Sequence, residues 1–128
     1  MKKTFGLIGL VSGVAILFAG VLQAAAPSKQ VAEGKTLYAE ACALCHGADG
    51  KRGEGFQTPI WGEGSLIATK FGTAQGLIDY MQLMPFNNPA MLTDEQKLSV
   101  VAYLLSNHGA IPATATLDAA KAASIPIK

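Results

Sequence analysis

The stretch that decides the fold is Cys42-Ala43-Leu44-Cys45-His46. It holds the only two cysteines of the chain. On a helical turn, residues three apart share a face, so both thiols point the same way. A disulfide between them would close a tiny loop and staple almost nothing. A thioredoxin-like redox pair needs a βαβ setting, and no alternating strand pattern is long enough to supply one. A zinc finger needs four ligands, and Cys42, Cys45, His46 and the distant His108 do not match finger spacing.

The spacing does match C-x-x-C-H, the attachment signature of c-type haem. Two thiols one turn apart reach the two vinyl groups of one porphyrin and form thioethers. The next residue, His46, projects its ring to the iron. A covalently held haem also answers a packing problem. The chain has 128 residues, one domain at most, and about 102 remain without the first 26. A domain of that size buries roughly two-thirds of its unfolded surface and often relies on a metal or cofactor.

Working outward, Ser28 is positioned to cap a helix whose face carries Val31, Gly34, Tyr38 and Ala41. A glycine on that face points to close approach of another element. Residues 47–72 are glycine-rich and include Pro59 and Trp61, which reads as a long loop wrapped around something. Thr73 caps a short helix through Leu77, Ile78, Tyr80 and Met81, which Pro85 ends at or before Met84. Thr93-Asp94-Glu95-Gln96 is a capping box, and Leu98, Val101, Ala102 and Leu105 follow at helical spacing. Asn107-His108-Gly109 supplies the stop. An Ala-rich tail follows from Ala110, with one short helix near Leu117–Ala123. The expected class is all-α, three to five helices around one haem.

The N-terminal segment reads as an address. Lys2 and Lys3 precede an uncharged run from Phe5 to Leu22, and Ala24, Ala25 and Ala26 follow. That is the order of a secretory signal. The run also reaches about 18 residues, the lower edge of a membrane span, so a retained anchor is the alternative. The expected division is 1–26 signal or anchor, 27–109 domain and 110–128 tail. Charge excludes one class of partner. The net charge is +1, and the only arginine is Arg52, so no basic face exists to hold a nucleic-acid backbone. Membrane contact is expected only if the N-terminal segment is retained.

From Cys42 to Gly50 the chain resembles small monohaem class I cytochromes c, and the resemblance extends over about residues 29–108. It implies that the face of Gly34 and Tyr38 crosses a face formed by Ala102-Tyr103-Leu104. It implies that the Pro59 carbonyl accepts the hydrogen bond of the proximal histidine, a contact that fixes the ring. Trp61 and Tyr80 are expected in the pocket wall, where either can donate to a propionate. Lys70 and Arg52 are expected as solvated surface, and Phe56 and Phe71 as packing.

Met84-Pro85-Phe86 with Pro89 and Leu92-Thr93-Asp94-Glu95 resembles the distal loop of that family, in which a Met before a Pro binds iron. Pro85 fixes the backbone beside Met84, which suits a preset thioether. Met91, Met81 and His108 stay open as alternatives. Met81, one turn earlier, suits the core. The place of His108 before Gly109 suits helix-end electrostatics.

The resemblance implies one-electron transfer in the bacterial periplasm. A haem iron with both axial sites filled has no room for a substrate, so a carrier rather than an enzyme is expected. The implied partners are periplasmic redox proteins: a dehydrogenase as donor and an oxidase or cytochrome as acceptor. The Met-Pro-Phe loop is similar to that of cytochromes serving sulfite and other sulfur-oxidising dehydrogenases. Two other readings are a haem subunit of a larger dehydrogenase complex, and a haem enzyme or gas sensor with an open or labile sixth site.

Overall fold

The Ser28 hydroxyl accepts from the Val31 amide at 3.2 Å and opens the first helix, α1, Lys29–Ala41. A single turn, α2, Ala43–His46, follows at once. Ser65 caps α3, Leu66–Lys70, and Thr73 caps α4, Ala74–Met81. Thr93 and Gln96 exchange side-chain and backbone hydrogen bonds at 2.9 and 3.2 Å, which fixes the start of α5, Asp94–His108. Gly109, at φ 86°, ends α5 in the left-handed conformation that favours glycine. Two short 3₁₀ helices, Pro89–Met91 and Ala119–Ser124, complete the elements. This computed structural model describes residues 23–128, so the run read as signal or anchor lies almost wholly outside the described residues. Among the described residues there is no strand beyond one isolated bridge, Thr73 to Pro126, and no helix long and apolar enough to cross a membrane. The class is all-α, as expected.

The core is built where α1 crosses α5. Val31 and Tyr38 from α1 meet Val100, Val101, Ala102 and Leu105 from α5, all buried. Gly34 makes the crossing close: a Cβ there would overlap the Ser99 carbonyl oxygen and lie 2.9 Å from the Tyr103 Cβ. Tyr38 and Tyr103 rings pack 5.5 Å apart at the same crossing. On the other side of α5 sits α4, whose Leu77 and Met81 are buried in the same cluster.

Residues after Ala110 are tied into this core. Gln30 reads the Leu117 backbone in both directions, accepting from its N–H at 2.7 Å and donating to its carbonyl at 3.1 Å. The Ala74 amide donates to the Ile125 carbonyl, and the Ile127 amide to that of Gly72, each at 2.9 Å. Leu117, Ala122 and Ile127 are buried. The segment is therefore strapped to α4 and the residue before its cap by main-chain bonds, and to α1 by the Gln30 side chain.

Candidate functional site

The end of α1 delivers Cys42 to the wall of a cavity of about 670 Å³. That volume lies within the usual range for cofactor sites, about 300–1,000 Å³. α2 places Cys45 and His46 on the same wall. α4 and the loop after it contribute Leu77, Met81 and Met84 to the same lining. Ile67, Val100 and Leu104 form the apolar floor. Charged side chains in the lining are confined to Glu40 and Lys70.

Burial pushes the Cys42 thiol up to about 11, with the neighbouring Cys45 adding to the shift. A redox dithiol needs the opposite, a depressed value that supplies thiolate. Cys42 is thus poorly suited to start disulfide exchange, and it lines the cavity together with Cys45 as a thiol attachment point. Desolvation lowers the His46 value, which keeps its imidazole neutral and able to ligate. Its Nδ1 is buried with no hydrogen-bond partner. With Nδ1 enclosed by protein, Nε2 is the nitrogen available to a metal in the cavity that His46 lines. Two thiols, one neutral imidazole and a thioether lining one apolar cavity fit a covalently attached haem.

The Pro59 carbonyl accepts from the Leu66 amide at 3.0 Å, and His46 Nδ1 has no partner. The expected bond between Pro59 and His46 is therefore not formed here, and α3 takes the Pro59 carbonyl instead. A different neighbour steadies the imidazole. Phe56 stacks on it with ring centres 5.0 Å apart and planes 26° apart. Phe56 is expected from the sequence only as packing, because a ring ten residues downstream in a glycine-rich loop carries no spacing signal.

Trp61 does not line the cavity. Its indole packs 5.4 Å from Tyr38 and 5.8 Å from Tyr103, under Gly50, where a Cβ would run into the indole ring. It belongs to the α1–α5 crossing and is not pocket wall. Tyr80 is in the wall as expected, paired with Phe71 at 5.1 Å. Lys70, expected as solvated surface, is exposed but contributes to the lining.

His108 is far from this cavity in role. Its Nδ1 accepts from the Gly62 amide at 3.1 Å and its Nε2 meets the Lys128 backbone oxygen at 2.9 Å. The ring thus ties the loop at Gly62 to the backbone at Lys128. This corrects the helix-end electrostatic role. It also removes His108 from the possible ligands. Three methionines line the cavity: Met81 is 5% exposed and packed in the core, Met84 is half-buried, and Met91 is 52% exposed at the rim.

Tyr38 links the crossing to the site, since its hydroxyl donates at 2.7 Å to the carbonyl of Gly47, the residue after His46. Burial, then the nearby Cys42, raises its phenol well above the ordinary value. Above about pH 10 the unfolded chain releases this proton before the folded one does. The folded state then binds more protons, so stability falls as pH rises. Tyr38→Phe is expected to cost about 1–3 kcal/mol at pH 8, from the unpaired buried carbonyl. It is also expected to lose this alkaline component. Urea midpoints for both proteins at pH 8 and pH 11 check it: the gap between them should narrow at pH 11.

Comparisons with known proteins agree with this geometry. The family described as cytochrome c oxidase, cbb3-type, subunit III matches residues 29–104. A thiosulfate dehydrogenase of Stutzerimonas stutzeri (strain A1501) is 36% identical over 85 residues, 60% of this chain and 27% of that protein. The fructose dehydrogenase cytochrome subunit of Gluconobacter japonicus is 33% identical over 103 residues, 70% of this chain and 21% of that one. The chain thus spans about a quarter of the length of the curated relatives it matches. Among solved structures, the sulfane dehydrogenase SoxCD from Paracoccus pantotrophus superposes with a TM-score of 0.65 at 24% identity, covering 76% of this chain and 52% of that one. That likeness is one of fold.

Proposed function

This chain belongs to the cytochrome c family, and from that premise we propose that it is a periplasmic one-electron carrier with Cys42, Cys45, His46 and Met84 as its haem site. The observation that carries the reading is the convergence of these four side chains on one apolar cavity. Haem c, covalently attached in this family, supplies an iron that alternates between ferric and ferrous. Cys42 and Cys45 anchor it by thioethers. His46 would offer the iron an imidazole nitrogen and Met84 a thioether, a donor that would favour ferrous iron and raise the potential. With His46 and Met84 both held to the iron, no open position would remain for a substrate, and the chain would carry electrons without catalysing a reaction of its own.

Large apolar side chains gather at the cavity mouth. Leu44 is 71% exposed and Phe86 82%, with Met91 beside them in the lining. Such a rim suits brief docking against an apolar face of a redox partner. The Lys2-Lys3 start, the apolar run and the small residues after it support export. The names of the relatives support a dehydrogenase as donor, with one that oxidises a reduced sulfur compound as the first candidate. A second reading, a haem subunit of a larger dehydrogenase, is favoured by the greater length of those relatives.

Optical spectra of the exported protein test this. The expected result is low-spin c-type haem with a weak red methionine-to-ferric band and no ready carbon monoxide binding. Met84→Ala should abolish that band and admit carbon monoxide, whereas Met91→Ala should leave both unchanged. High-spin iron in the unmodified protein, or immediate carbon monoxide binding, would replace the carrier with an enzyme or gas sensor.

A further inference from the structure

Lys97 is 5% exposed and is the one buried charged side chain among the described residues. Burying an ammonium is costly unless it is paired. The one ion pair among the described residues joins Lys121 and Asp118, so no carboxylate answers Lys97. Its own helix does not favour it either. As the fourth residue of α5 it sits near the positive end of that helix dipole.

Its Nζ crosses instead to the end of α4 and donates to the Gln82 carbonyl at 3.1 Å. The preceding carbonyls are already taken. Asp79 accepts from the Gln82 amide at 3.3 Å, Tyr80 from Leu83 at 3.0 Å, and Met81 from Met84 at 2.9 Å. The Gln82 carbonyl is the next in line, and a helix end leaves such carbonyls without an intrahelical donor. The ammonium supplies that donor, at the negative end of the α4 dipole. Stability alone does not call for a lysine there, since an apolar residue of similar volume would fill the space with no charge to desolvate.

We propose that Lys97 is a positioning residue for the distal loop: by holding the Gln82 carbonyl it fixes the turn that presents Met84 to the cavity. This rests on the reading of Met84 as the axial ligand. The test uses the haem-loaded protein and two variants. Lys97→Met keeps the volume and removes the donor, and Lys97→Arg keeps both charge and donor. In Lys97→Met the Leu83 and Met84 amides are expected to exchange hydrogen at least about tenfold faster, the scale of one lost charge-assisted bond. Amides of Val100–Leu104 in α5 should be unchanged. Imidazole should displace Met84 from ferric iron at about a tenfold lower concentration. Lys97→Arg should stay within about twofold of the unmodified protein in both measurements.

Unchanged exchange at Leu83 and Met84 in Lys97→Met overturns the proposal. So does faster exchange spread through α5, which would make Lys97 a general packing residue. The ligand reading is judged apart, by whether Met84→Ala loses the red band. The exchange rates judge the clamp whichever ligand binds.

Discussion

A chain with Cys42 and Cys45 both replaced by alanine is expected to accumulate without covalent haem and to lose its cooperative unfolding transition. The reason lies in what surrounds the cavity. Ile60, Ile67, Leu77, Met81, Val100 and Leu104 all line it, and all six belong to the buried core. The cavity therefore lies within the core and is not a cleft on a finished domain. An enclosed void costs about 24 cal/mol per Å³. Even if only about half of the 670 Å³ behaves as enclosed, the cost is about 8 kcal/mol. The whole stability of a small domain is about 5–15 kcal/mol, so a cost of about 8 kcal/mol removes half of it or more. Alkaline pyridine spectra measure haem content, and far-UV circular dichroism against temperature measures cooperativity. A sharp melt in the haem-free variant would mean that the walls close on one another without the porphyrin, and the cofactor would then be a guest of the fold instead of part of its core.

What could be read from the residues follows from how far each signal travels along the chain. The capping box at Thr93 and Gln96 is a local exchange of hydrogen bonds, and it appears where the four residues place it. Val31, Gly34 and Tyr38 repeat at helical spacing over two turns, and those three are the buried face of α1. The thiols and His46 stand out by their short spacing and Met84 by the proline after it, and all four line one cavity. The helix α3 is different. It is five residues long, shorter than the window in which periodicity can show, and it hides in a stretch read as loop. Its start depends on Ser65, which is fully buried and accepts from the Ala68 amide at 3.3 Å. The roles of Trp61, His108, Phe56 and Lys97 were hidden by distance. Each depends on a partner ten or more residues away: the rings of Tyr38 and Tyr103, the Gly62 amide, the His46 ring and the Gln82 carbonyl. No spacing within one segment encodes such a meeting. Pro59 shows the same limit from the other side, since its carbonyl serves a helix that the sequence did not reveal.

Gly34→Ala is expected to destabilise the protein by about 2 kcal/mol or more, although alanine is the better helix former. Intrinsic propensity favours alanine over glycine by about 1 kcal/mol within a helix. At Gly34 that gain is opposed by a collision with main chain: the added Cβ would overlap the Ser99 carbonyl oxygen and press on the Tyr103 Cβ. A flexible side chain could rotate away, but a carbonyl inside α5 cannot move without its helix. Overpacking typically costs about 1–3 kcal/mol, and contact with backbone belongs at the upper end or beyond. Relief requires α1 and α5 to separate, which loosens Val31 and Tyr38 against Val100 and Val101. Exposed Ala32, two residues earlier on α1, provides the control. There Ala32→Gly should cost about 1 kcal/mol from propensity alone. Exchanging the same two residue types at neighbouring positions, in opposite directions, should therefore destabilise both times. Urea unfolding of the haem-loaded proteins reads the difference, with melting temperature falling by on the order of 10 °C for Gly34→Ala. Equal stability of Gly34→Ala and the unmodified protein would mean that the crossing of α1 and α5 does not depend on the absence of a side chain at Gly34. The consequence reaches the site, because α1 ends at Cys42 and α2 begins there. A shifted α1 moves both thiols relative to Met84 in the same lining, so the yield of covalent haem should fall together with stability.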